Sequence, residues 1–148
     1  MSMRRFSAFV SVAFLAYPQL AGAAGGIWCD ADHANLKFHF KAATSRDGTS
    51  GLFNVEGRLE TRIAMDRGQL PPLDIRDGDV VERWLGRSNV LVQVSKREPA
   101  PSRALILTIA AHAVDEAIYE GQYELQITAP SGGNATIRHM GKVRCGAD

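Results

Sequence analysis

The chain has 148 residues, with 17 lysines and arginines against 16 aspartates and glutamates, a formal net charge of +1. That length suits one ordinary domain, able to bury a core of its own. The near-neutral balance weighs against nucleic-acid binding, which needs a basic excess to offset phosphate, and against a polybasic membrane-surface protein or an acidic disordered tail.

Residues 1–23 read as an export signal. Arg4 and Arg5 form a positive start, an apolar stretch runs from Phe6 to Leu15, and Pro18 precedes the small run Ala21-Gly22-Ala23-Ala24. This order, with small residues before a cut after Ala23, is that of a secretory signal peptide. The apolar run is too short for a membrane span, which needs ~20 residues, so no transmembrane segment is expected in the mature form. Trp28 sits where a lipid-anchor cysteine would want a small residue, so Cys29 is not read as an anchor. Removing 1–23 takes away two arginines and no acid, leaving a slightly negative domain over 24–148. The expected location is periplasmic or secreted.

Export permits disulfides, and the chain has only Cys29 and Cys145 to pair. Their bridge would tie the first strand of the mature chain to the last. Redox pairs favour C-x-x-C spacing, so a structural bond is expected. Just after Cys29 come Asp30, Asp32 and His33, a cluster of possible ligands that lacks any H-x-H or H-E-x-x-H spacing for zinc.

From there the chain alternates. In 35–41, Leu36, Phe38 and Phe40 share one face and charged residues the other. From Phe53 the inward set is Val55, Gly57, Leu59, Thr61 and Ile63, with Gly57 marking a bulge or bend. Alternation of this kind signals half-buried antiparallel strands. Asp74, Asp77, Asp79 and Glu82 have the composition of a calcium loop without its spacing, and Asp77-Gly78-Asp79 reads as a turn entering a strand.

Residues 79–97 read as a hairpin about Gly86-Arg87-Ser88-Asn89, with Val90, Val92 and Val94 buried and Trp84 in the core beside them. A short helix capped by Asp79 and ended by Gly86 is the competing reading. Strands are expected through Leu105, Leu107 and Ile109, then through Tyr123, Leu125 and Ile127, and finally over 134–145 with Ile137, Val143 and Cys145 inward. Residues 114–118 suit one helical turn. The whole pattern predicts an all-β single domain, an antiparallel sandwich or barrel of about seven to nine strands with one terminal disulfide.

Catalytic motifs are missing from the sequence. There is no G-x-S-x-G, and no motif places His33, His39, His112 or His139 beside a nucleophile. Phosphate-cradling glycine motifs are missing too. No catalytic residue, metal site or cofactor is assigned. The expected function is therefore an exported, non-catalytic domain that binds an unknown protein or envelope component through loops or an edge strand. In one version it inhibits an enzyme by inserting the loop Ser131, Gly132, Gly133 and Asn134. The alternatives are a small exported hydrolase or metal-dependent enzyme using Asp30, Asp32 and His33, and a structural subunit of an envelope complex.

Overall fold

The computed structural model describes residues 25–45, 51–63, 69–97, 103–128 and 136–148. Residues 1–23, read above as an export signal, and the loop 131–134 lie outside the described residues. Nine strands form one antiparallel sheet: β1 (Gly25–Asp32), β2 (Leu36–Thr44), β3 (Leu52–Thr61), β4 (Leu73–Arg76), β5 (Val80–Leu85), β6 (Asn89–Arg97), β7 (Ala104–Asp115), β8 (Ile118–Thr128) and β9 (Thr136–Ala147). The neighbour order is β4-β3-β2-β1-β9-β8-β7-β6-β5. Every strand except the pair β4 and β5 therefore lies beside its neighbours in sequence, and β1 meets β9. The result is a nearly closed up-and-down barrel, the second of the two architectures the alternation allows.

The two ends of the sheet, β4 and β5, are consecutive in the chain, joined by the 3-10 turn Asp77–Asp79. They act as one strand that pairs first with β3 and then with β6. Side chains hold this seam. Asp77 Oδ1 accepts from the Val55 amide at 3.0 Å, Arg83 Nη1 donates to the Leu52 carbonyl at 2.7 Å, and Lys96 Nζ donates to the Asp74 carbonyl and to Asp79 Oδ2.

The interior is filled. Phe38, Phe40, Leu59, Leu107, Ile109, Tyr123 and Leu125 are buried along with the valines of β6. Each such side chain contributes roughly 1.5–3 kcal/mol by leaving water. Phe38 and Tyr123 meet edge to face, with ring centroids 5.6 Å apart. Outward positions are mostly charged or polar, and no described helix is long and apolar enough to cross a membrane.

Cys29 and Cys145 are bonded and directly opposite in the register of β1 and β9. The expected bridge is present, between neighbouring strands rather than across the core.

Bulges account for most departures from the sequence reading. Trp84 is 54% exposed, not in the core. Val80 pairs with Val94 and Glu82 with Gln93, which leaves Val81 as an extra residue. A one-residue slip reverses the facing of everything after it. Arg83 thereby stands opposite Val92 with its side chain exposed, and Trp84 turns out beside Leu91. The same segment is a strand, so the helical alternative over 79–86 does not occur. A second bulge lies at Asn54, whose φ is 51°, opposite the register break between Lys41 and Ala43. Gly57 instead marks a close approach, since a Cβ there would stand 2.8 Å from the His39 carbonyl. At 114–118 the chain makes no helical turn: Val114 bulges and Glu116-Ala117 turn a hairpin between β7 and β8.

A groove of unpaired side chains on the outer wall

A groove of about 840 Å³ crosses the outside of the barrel over β1, β9, β8 and β7. Strand alternation puts Asp30 and Asp32, Lys142 and Arg144, Glu120 and Gln122, and Ala110 and His112 along it, with His33 at one end. Register sets them in two rows. Asp30 faces Arg144, Arg144 faces Glu120, and Glu120 faces His112; in the next row Lys142 faces Gln122 and Gln122 faces Ala110.

Two features shape this wall. Gly121 lies so close to β7 that a Cβ would collide with the Ala110 carbonyl and the Ala111 Cα, so only glycine admits this approach. Ala110 projects a single methyl outward, which keeps one side of the groove low. Beneath it, the Cys29–Cys145 bond fixes the β1–β9 register that sets Asp30 against Arg144.

The two sides of the groove differ in how their polar atoms are used. On the β1 side every group has a partner. Asp30 Oδ1 accepts from His39 Nδ1 at 2.5 Å, Asp32 pairs with Arg62 at 2.8 Å, and His33 Nε2 donates to the Lys142 carbonyl at 2.7 Å. The His33 ring also stacks on Tyr123 at 5.8 Å. On the other side, the side chains of Glu120, Gln122, Lys142, Arg144 and His112 form no hydrogen bond or ion pair among the described residues. Arg144 stands in register between two carboxylates and bonds neither.

The sequence-predicted clusters therefore separate. Asp30, Asp32 and His33 do reach one groove, each tied to a different neighbour. Asp74, Asp77 and Asp79 serve the seam: Asp74 pairs with Arg58 at 3.5 Å, and Asp79 accepts from the Arg76 amide and Lys96. Among the described residues no three His, Cys, Asp or Glu side chains are grouped to hold a metal ion. Two groups have displaced pKa values. The Lys41 ammonium, hydrogen-bonded to Glu56, holds that carboxyl below its ordinary value, and burial raises the Tyr123 phenol.

Of the five unpaired residues, Glu120, Gln122, Lys142 and Arg144 escaped the sequence reading, and His112 entered it only as a histidine without a motif. Their alternation was visible, but an outward residue on β8 and one on β9 become neighbours only through a register that no short motif encodes. No family model, curated protein or solved structure matches the chain, so its own geometry carries the functional reading.

Proposed function

We propose that the protein is an exported, non-catalytic domain that binds a protein or envelope component on the outer wall of its barrel. One observation carries this reading: five polar side chains stand unpaired among the described residues in a single groove, over a buried apolar interior. Unused donors and acceptors gathered in a concavity are what a polar ligand needs for orientation. The groove lining contains no serine, threonine or cysteine, which favours binding over nucleophilic catalysis. Export is supported by the order of charge, apolar stretch and small residues over 1–23 and by the disulfide.

The test is affinity capture from an exported fraction with three baits. The wild type and a Lys41→Ala/Glu56→Ala variant, altered outside the groove, should retain the same partner. A Glu120→Ala/Lys142→Ala/Arg144→Ala variant should lose it. A partner held equally by all three baits would refute the groove as the binding face.

A further inference from the structure

Resting on that reading, we propose that the groove takes a short peptide with both ends free, its carboxylate held by Arg144 and Lys142 and its ammonium by Glu120. Lys142 and Arg144 lie two residues apart on β9, so they leave the same face of the sheet ~6.8 Å apart. A carboxylate between them can take the planar fork of the guanidinium and the point charge of the ammonium. Glu120 faces Arg144 from the next strand, ~4.8 Å away, and has no partner of its own. Gln122 faces Lys142 with an amide that can both donate and accept, matching a peptide group between two charged ends.

The surrounding charges narrow the choice. Asp30 is already bonded to His39 and Asp32 to Arg62 through one oxygen each, which leaves Glu120 as the unbonded carboxylate of the groove, and both aspartates keep negative charge at the rim. That rim repels a polyanion such as a nucleic acid or an acidic polysaccharide. Lys142 and Arg144 repel a polycation. A ligand carrying one charge of each sign satisfies both. The groove also lacks an outward tryptophan, tyrosine or phenylalanine on which a sugar ring would stack.

The experiment is an amide NMR titration of the purified protein with tri-alanine, its C-terminal amide, its N-acetyl form and tri-N-acetylglucosamine. Tri-alanine should shift the amides of Glu120, Gln122, Lys142 and Arg144 saturably. Blocking either end should weaken binding about tenfold, as loss of one charge-assisted contact implies. Arg144→Gln/Lys142→Gln should bind tri-alanine and its amide alike; Glu120→Gln should bind tri-alanine and its N-acetyl form alike. Lys142→Gln should weaken tri-alanine with no change in circular dichroism. Equal binding of blocked and free peptides, no saturable shift with tri-alanine, or a response to the saccharide alone would overturn the proposal. If the peptide fails while the triple-alanine bait still loses its captured partner, only the ligand class falls. If that bait keeps its partner, the binding reading falls as well.

Discussion

The outer wall divides into two regions built from the same kind of strand. Over β1–β4, side chains on neighbouring strands are bonded at three places: Asp30 to His39, Lys41 to Glu56, and Arg58 to Asp74. Over the groove, Glu120 and Arg144 are also opposite and in register, yet unbonded. Pairing resumes on the same two strands with Glu124 and Arg138, at 3.8 Å. Lys37 on β2, in register with Asp32 and Glu60, also bonds neither among the described residues, so the gap in pairing is widest in the dented part of the wall without being confined to it. Exposed ion pairs contribute little, commonly below ~1 kcal/mol. The paired region thus owes its stability chiefly to the core beneath it, and its charges mainly keep the wall wet. In the groove the same residue types leave their bonding capacity open. Identical alternation accompanies two different uses of charge.

The largest test removes what fastens the two regions together. Cys29 and Cys145 are 116 residues apart in sequence, and a loop of that length corresponds to about 4–5 kcal/mol in the chain-entropy view. A Cys29→Ala/Cys145→Ala variant should keep its β circular dichroism and lose roughly that much stability in urea. An unchanged unfolding midpoint would mean that the register between the regions is held by packing alone.

Gly121→Ala acts on the groove side only. Its methyl would meet the backbone of β7, and relieving that contact should cost about 2–3 kcal/mol. Denaturant melts should show the loss, and partner capture should fail with it. Full stability in this variant would detach the groove's shape from Gly121.

Thr61 supplies a converse case, beneath the paired region. Its buried hydroxyl has no hydrogen-bond partner among the described residues. Thr61→Val should therefore stabilise the protein by about 1 kcal/mol, read as a higher urea midpoint. Destabilisation would show that the hydroxyl is bonded after all.

The smallest effect tests a single surface pair. Because Lys41 lowers the Glu56 pKa, the pair's contribution is present above the ordinary glutamate range and is lost as pH falls through the lowered value. Lys41→Met should return the Glu56 titration, followed by carboxyl NMR, to the ordinary value, with no measurable change in melting at neutral pH. An unmoved titration would place the cause elsewhere than in Lys41.

What the sequence by itself determined is the local geometry. Alternation over Leu36–Phe40, Val90–Val94, Leu105–Ile109 and Tyr123–Ile127 specifies strands with one buried face, because successive side chains leave opposite sides of the backbone. Two cysteines admit one intramolecular pairing, so the disulfide was legible as well. Tertiary structure decided everything that depends on which strands adjoin and in what register. It chose a nearly closed meander over two packed sheets. It bulged Val81, turned Trp84 outward and set Arg83 against the Leu52 carbonyl at the seam. It also assembled the groove, bringing together residues of β7, β8 and β9 that share no motif. Periodicity is a property of one strand, whereas register is a property of two, and neither strand carries it alone.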